Sequence, residues 1–244
     1  MKLQLPRKGA VVTAIEKSFI GIGIYSIPEA ARLTGVPPRT IRRWVGGYAF
    51  KVSDAVHQSP PLWTAELPKI DGYISLGFRD LIEVRVVQAL LEKDISWRRI
   101  RRIGAGVATL LKTDHPFSSV TFKTDGYRVY TELPRAPGHT GLIEPENFQL
   151  ALREIITPFL SDIDYGEKGE PSRWWPMGRR DRSVVIDPGR AFGRPIINSA
   201  GIPTAVLAAA YRAEGNDAGI VAQWYDITRT AVEKAVEFEE KLAA

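Results

Sequence analysis

A helix-turn-helix pattern over residues 25–48 is the feature that most constrains how this chain can fold. Ser26 and Glu29 have the spacing of a capping box, in which each side chain accepts a backbone N–H of the other residue, so a helix begins here. Gly35 ends that helix. The two prolines that follow can begin a helix but cannot lie inside one. A second short helix is therefore predicted over residues 39–45.

Cationic side chains occupy one face of this second helix. Arg39, Arg42 and Arg43 are neighbours because residues three and four apart share a helix face, whereas Trp44 falls nearly opposite and is expected in the core. Arginine can contact phosphate or pair with guanine in the major groove, and Thr40 on the flank can reach a phosphate. We predict that this helix binds double-stranded DNA; the alternative is a solvated basic face on a small helical hairpin.

The N-terminal residues resemble the winged helix-turn-helix of the MerR family. The resemblance lies in residues 25–36 and 39–44, and residues 78–81 and 95–100 are similar to the helices that follow the wing in that family. It implies a DNA-binding domain at this end of the chain. A longer segment, residues 46–75, stands where MerR proteins have a short wing. The family's wing contacts therefore cannot be transferred, and Lys51 is the one DNA contact that we name there.

A second basic cluster follows Ser96, at the start of another predicted helix. It contains Arg98 and Arg99, with two further arginines at 101 and 102. One interpretation is a set of phosphate contacts that flank the main DNA-binding helix. An exposed helix face without a partner explains the cluster equally well.

Charge is unevenly distributed along the 244 residues. Residues 1–115 contain 18 Lys+Arg against 10 Asp+Glu, whereas residues 116–244 contain 15 against 18. A basic half joined to a mildly acidic half suggests that the halves bind different partners. Nucleic acid is the commonest partner of a basic surface.

The remaining pattern predicts a mainly α fold with small β-hairpins, in the α+β class. We expect a MerR-like winged helix-turn-helix at the N-terminus and a three-helix, helix-turn-helix-like domain at the C-terminus. The predicted elements, in chain order, are helices over 78–92 and from 96 onward, a hairpin over 118–131, a helix over 146–160, a strand over 183–186, and helices over 204–213, 217–225 and 229–242. The predicted domains are 1–115, a connecting part over 116–182, and 183–244.

The C-terminal part resembles VapB-like antitoxins. The resemblance lies in the glycines and prolines of residues 184–189, 192–197 and 201–204, which precede three helices. The whole chain is similar to a long version of these proteins with a MerR-like head. The resemblance implies an antitoxin role and a PIN-like ribonuclease toxin as partner.

Acidic residues run along the last predicted helix. Glu233, Glu237 and Glu240 share one face. Phosphates repel such a face, so direct DNA contact by this helix is not expected. Dimerisation or partner docking suits it better, and an ordinary solvated face is the simplest alternative.

A Trp- and Arg-rich segment over residues 171–182 is the candidate partner surface, because Trp and Arg are enriched at protein interfaces. Its candidate contact residues are Trp174, Trp175, Arg179, Arg180 and Arg182. By analogy with the acidic metal sites of PIN-like nucleases, its arginines would occupy such a site. The alternative is that the two tryptophans are core residues of a short strand.

The sequence supports no enzymatic site. Cysteine is absent, the three histidines are isolated, and no phosphate-cradling glycine motif is present. We expect no cofactor, no metal site, no membrane segment and a cytoplasmic location. The leading hypothesis is an autorepressing antitoxin that binds operator DNA as a homodimer. The alternatives are a stand-alone MerR-like transcription regulator with a C-terminal dimerisation domain, and a scaffold without DNA function.

Overall fold

The computed structural model describes residue 19 and residues 21–119 and 157–243. Within these ranges, helices alternate with small antiparallel sheets, which confirms the predicted α+β class. The predicted hairpin over 118–131 lies outside the described residues apart from its first two positions, and so does most of the predicted helix over 146–160. No described helix is long and apolar enough to cross a membrane.

The two short helices predicted within residues 25–48 are present as α1 (Ile27–Thr34) and α2 (Pro38–Gly46). The capping box is present: Glu29 Oε2 accepts the Ser26 N–H at 2.8 Å, and the Glu29 N–H donates to Ser26 Oγ at 3.3 Å. Gly35 follows α1 at φ 74°, in the left-handed region that glycine adopts without a Cβ penalty. Before α1, strand β1 (Tyr25–Ser26) pairs with a later strand, β4 (Ser75–Leu76).

A β-hairpin directly follows α2. Strands β2 (Tyr48–Val52) and β3 (Ala55–Ser59) are antiparallel, with Phe50 opposite His57. This hairpin lies within residues 46–75, the segment that stands where MerR proteins have a short wing, and residues 60–74 connect it to β4.

Helices α3 (Phe78–Glu92) and α4 (Trp97–Leu111) confirm the two helices predicted after the wing. Almost every side of α3 is buried, because α1, β4 and the later elements pack around it. Helix α4 buries only one face, which includes Ile100, Ile103 and Val107. The core around α3 also takes in Leu160 and Trp174 from the middle of the chain.

A four-stranded antiparallel sheet joins the middle of the chain to its C-terminal part. After the short helix α5 (Thr157–Ser161), the strands follow in sequence order as β5 (Ile163–Tyr165), β6 (Pro171–Trp174), β7 (Val184–Ile186) and β8 (Pro195–Ile197). Strand β7 corresponds to the predicted strand over 183–186. No strand was predicted at β5, whereas β6 lies in the Trp- and Arg-rich segment, for which a short strand with core tryptophans was the alternative.

Three C-terminal helices form a second core on β7 and β8. They are α6 (Thr204–Ala213), α7 (Ala218–Tyr225) and α8 (Arg229–Ala243), within one residue of the predicted bounds. Val184, Leu207, Val232 and Phe238 are buried between them. Leu33 of α1 also packs against this second core, so α1 touches the C-terminal helices.

Candidate nucleic-acid interface and partner surface

The arginine face of α2 is exposed and the opposite face is buried. Ile41, Trp44 and Val45 are at most 5% exposed and hold α2 on the core. Arg39 and Arg42 point to solvent, and neither forms an ion pair with any other described residue. The remaining predicted residues of this helix are Arg43, which is exposed, and Thr40, which is half-buried.

Arg43 connects α2 to the hairpin. Its guanidinium carbon lies 3.9 Å from the centre of the Tyr48 ring. A hydrogen bond with the Ser59 side chain, and then one with Arg43, lower the pKa of Tyr48. Aromatic rings continue from there along one face of the hairpin, with Phe50 and His57 stacked at 5.5 Å. The hairpin is therefore fixed to the end of α2 by side-chain contacts.

Lys51 lies on β2 and is exposed, with its Nζ 3.8 Å from Asp54 Oδ1. Because both side chains are in solvent, the pair constrains Lys51 little. The structure thus places Lys51 on the same strand as Tyr48, the residue that Arg43 of α2 contacts.

The start of α4 lies beside α2. Trp97 stacks on Trp44 with ring centres 5.9 Å apart and planes 19° apart. Arg101 places its guanidinium over Trp97 and donates to the Pro60 carbonyl oxygen. Arg98 is exposed at the same end, and Arg99 is half-buried. The second basic cluster therefore lies at the end of α4 that packs on α2, and Arg101 is used for packing.

The candidate partner residues divide into a buried and an exposed set. Trp174 and Trp175 are 4% and 3% exposed and belong to the core, which is the alternative that the sequence left open. Arg179 has its guanidinium on Asp164 at 3.3 Å and on the Ser161 carbonyl oxygen at 2.8 Å. Arg180 and Arg182 are exposed, and the Arg182 guanidinium lies 5.1 Å from the Trp175 ring centre.

A groove of about 590 Å³ lies between the two exposed arginines and the start of α8. Arg180, Arg182 and Lys234 supply its positive charges, and Thr228 and Thr230 line it with hydroxyl groups. Lys234 Nζ is 2.8 Å from Asp181 Oδ2. Asp181 therefore neutralises the lysine, and the arginines give the groove its positive charge.

The predicted acidic stripe of α8 is largely paired within its own helix. Glu233 accepts from Arg229 at 2.8 Å, and Glu237 pairs with Lys234 and Lys241. Glu240 is exposed. These contacts make the stripe a solvated helix face with alternating charges.

One polar cluster was missed by sequence reasoning. Glu66, Asp80 and His115 bring one side-chain ligand atom each to within 4.8 Å of one another. Their positions are 14 and 35 residues apart, and they come from three different elements. No local sequence spacing connects these three residues. Only Asp80, at the third position of a helix, has a recognisable pattern, and that pattern indicates a helix cap rather than a binding site.

Comparison with known proteins gives a family match for the C-terminal part. Residues 184–238 match the family described as "Protein of unknown function (DUF433)". This range includes β7, β8, α6, α7 and most of α8. The match describes no activity.

Nearly the whole chain is similar to protein from Mycobacterium tuberculosis, in sequence and in structure. A protein named "Putative antitoxin VapB45" is 26% identical over 227 residues, which is 88% of this chain and 93% of that protein. The X-ray crystal structure of Rv2018 superposes with a TM-score of 0.66 at 24% identity, over 89% of this chain and 99% of that one. The chain thus has the fold of Rv2018 and is similar along most of its length to a protein named as an antitoxin.

Proposed function

We propose that this protein is the antitoxin of a type II toxin–antitoxin pair. Its N-terminal part binds operator DNA for autorepression, and its C-terminal part holds and neutralises a PIN-like ribonuclease toxin. The observation that carries the DNA half is the exposed arginine face of α2, held outward by three buried side chains. The toxin half is supported by the relative that is named as an antitoxin.

The shape of the N-terminal part suits a duplex. An α-helix fits the major groove, and Arg39 and Arg42 can pair with guanine edges or phosphates there. The hairpin of β2 and β3 has five paired residues a strand, so it extends about 16 Å from the end of α2. This is enough for Lys51 to reach across one backbone of the duplex. Arg98 at the start of α4 would contact phosphate on the other flank.

A homodimer on paired half-sites is the expected assembly, because two copies related by a twofold axis place two recognition helices about one helical turn apart. The C-terminal helices offer a surface for this. Ile220 and Trp224 lie one turn apart on α7 and are 39% and 63% exposed.

The exposed apolar face of α7 also favours the second candidate function. A stand-alone MerR-like regulator would use the same face for dimerisation and would bind no toxin. Stable association with a nuclease in its host distinguishes the two functions, because a plain regulator would lack it.

The DNA-binding proposal is tested by the double variant Arg39→Ala/Arg42→Ala. Neither guanidinium has a contact that the fold needs, so the variant should fold normally. We expect the loss of specific binding to DNA selected by the wild-type protein. For any residual binding, the slope of the logarithm of the binding constant against the logarithm of the salt concentration should be smaller in magnitude by about 2, because two charges that neutralise phosphates are gone.

The matched control is Arg194→Ala/Arg212→Ala, which removes two exposed arginines of the C-terminal part. Its affinity and salt slope should equal those of the wild type. If the α2 variant and this control bind DNA equally well, α2 is not the recognition helix.

The toxin-binding proposal assigns Arg180 and Arg182 to an acidic surface of the toxin. Arg179 is left out of this variant, because its guanidinium already contacts the Ser161 carbonyl oxygen at the end of α5 and Asp164 of β5. Charge reversal to Arg180→Glu/Arg182→Glu should release the toxin, measured as RNA cleavage in a mixture of the purified partners. Arg194→Glu/Arg212→Glu serves as the control of equal charge change. Full inhibition of the toxin by Arg180→Glu/Arg182→Glu would remove Arg180 and Arg182 from the interface.

A further inference from the structure

Three metal-ligating side chains from separate elements converge behind α3. Glu66 lies in the connector after the hairpin, Asp80 in the first turn of α3, and His115 in the loop after α4. Asp80 and His115 are buried, at 0% and 6% exposure, and the Glu66 side chain is 15% exposed. His115 Nε2 is 3.1 Å from Asp80 Oδ1.

We infer that Glu66, Asp80 and His115 form a binding site for one divalent transition-metal ion, with Zn²⁺ as the best-fitting ion. Zn²⁺ accepts imidazole nitrogen and carboxylate oxygen at about 2.0–2.2 Å, so two ligand atoms on one tetrahedral ion lie roughly 3.3 Å apart. The 3.1 Å separation of His115 and Asp80 is close to that value. All three ligand atoms lie within 4.8 Å of one another.

The groups around the ligands hold them as the surroundings of a metal site do. Trp63 Nε1 donates to Asp80 Oδ1 at 2.8 Å, and the Gly77 N–H donates to Asp80 Oδ2 at 2.8 Å. The Arg79 N–H donates to Glu66 Oε2 at 3.1 Å. Such outer hydrogen bonds fix the orientation of ligating carboxylates and raise metal affinity.

The loop that carries His115 is held by another buried carboxylate. Glu83 accepts the N–H groups of Phe117 and Ser118 at 2.9 and 2.8 Å. This fixes the backbone two residues after the histidine. The ligand from the loop is therefore as well positioned as the ligand from α3.

The packing at Gly77 also points to a built site. A Cβ added there would lie 2.0 Å from Glu66 Oε2, so the glutamate carboxylate reaches α3 only because residue 77 has no side chain. A cleft of about 650 Å³ borders Glu66 and His115. It provides an entry path and space for a water molecule as the fourth ligand.

The charge balance is compatible with an ion. Arg79 places Nε 3.2 Å from Glu66 Oε1 and Nη2 3.6 Å from Glu170 Oε1, so one cation already lies on the outer side. A proton on His115 competes with the metal, because a protonated His115 would pair with Asp80 instead.

A bound ion would tie the connector, α3 and the end of α4 together. Through α4 it would also act on the Trp97–Trp44 stack that orients α2.

The test is Zn²⁺ titration of the tag-free full-length chain by calorimetry, with Co²⁺ absorption as a report on the ligand set. We expect one ion per chain, a tetrahedral Co²⁺ spectrum, and a rise in Tm with Zn²⁺. His115→Gln keeps a donor for Asp80 but removes the imidazole, and it should abolish binding. Glu66→Gln should do the same, and it decides the matter if the first variant fails to fold by circular dichroism.

His57→Gln is the matched control, because His57 is an exposed histidine on the hairpin. It should bind Zn²⁺ like the wild type. Trp63→Phe, which removes a hydrogen bond to Asp80 but no ligand, should bind about tenfold more weakly. The inference is overturned if the wild type binds no ion, or if folded His115→Gln or Glu66→Gln binds as tightly as the wild type. These readouts do not involve DNA or a toxin, so they fail independently of the proposed function.

Discussion

At the scale of single residues, Trp44 sets the direction of the arginine face. Its ring is 4% exposed and stacks on Trp97, and its carbonyl oxygen accepts the Leu62 N–H at 2.8 Å. It thus joins α2 to α4 and to the connector after the hairpin. Because Trp44 faces the core, Arg42 and Arg43 on the other side of the helix face solvent.

Trp44→Ala should lower the free energy of unfolding by about 3–5 kcal/mol, because it leaves a cavity at the junction of three elements. Urea denaturation measures this loss. Tyr73→Ala is the matched control, since that side chain is 77% exposed and its removal should change stability by no more than about 0.5 kcal/mol. Equal losses in the two variants would mean that Trp44 is not a core residue.

A second residue-scale prediction concerns Asp181 and pH. Partial burial acts to raise the pKa of Asp181, but hydrogen bonds from Lys234 and Ser183 outweigh it and lower the pKa to about 2. The carboxylate therefore stabilises the fold above its unfolded pKa, near 4, and this contribution is lost as pH falls toward 2. Lys234→Met should be less stable than the wild type at pH 6, and the difference should shrink between pH 4 and pH 2. A difference that stays constant with pH would contradict the assignment.

At the scale of elements, local signals decided which parts could be predicted. Helices α6, α7 and α8 were predicted to within a residue because caps such as Asp217 and Thr228 mark where they begin. Strand β5 was not predicted and β6 was foreseen only as an alternative, because each has only three or four residues and is defined by pairing with neighbouring strands rather than by a local signal. The cluster of Glu66, Asp80 and His115 was missed for the same reason.

The hairpin after α2 shows what a family resemblance leaves open. The resemblance led us to expect a wing after α2, but it did not predict which residues of the longer segment pair with each other. The two-residue turn at Ser53 and Asp54, with Ser53 at φ 53°, closes the hairpin without the glycine that usually signals such a turn. The position of Lys51 relative to α2 thus became visible only in the folded chain.

Gly35 makes an element-scale prediction. It follows α1 at φ 74°, and a Cβ there would meet no atom within 4 Å, so only backbone strain opposes a side chain. Gly35→Ala should cost roughly 1–2 kcal/mol in urea denaturation. Gly35→Asn should cost less, because asparagine tolerates the left-handed region better. Equal stability of the alanine variant and the wild type would show that the turn relaxes.

At the scale of the whole molecule, α1 joins the N-terminal part to the C-terminal helices. Arg32 Nη1 lies 3.4 Å from Glu239 Oε2 of α8, and Leu33 packs on the second core. The Thr204 hydroxyl also donates to Glu239, at 2.5 Å. A partner bound to the C-terminal part can therefore influence the orientation of α1, and of α2 beside it, through this contact.

Glu239→Ala should destabilise the protein more than Arg32→Ala does. The Glu239 side chain is 9% exposed and serves two donors, whereas Arg32 is half exposed. We expect losses of about 1–3 kcal/mol and at most about 1 kcal/mol, respectively. Thermal and urea unfolding of both variants provide the comparison, and the reverse order would show that α8 does not depend on this contact.

The most direct test of the antitoxin account is to purify the full chain from its own host at moderate salt and to identify by mass spectrometry what accompanies it. The account predicts a small ribonuclease in fixed stoichiometry, which is retained by Arg39→Ala/Arg42→Ala but lost from Arg180→Glu/Arg182→Glu. Recovery of DNA or of the chain alone, with no nuclease, would contradict the antitoxin role and leave a stand-alone regulator as the better description.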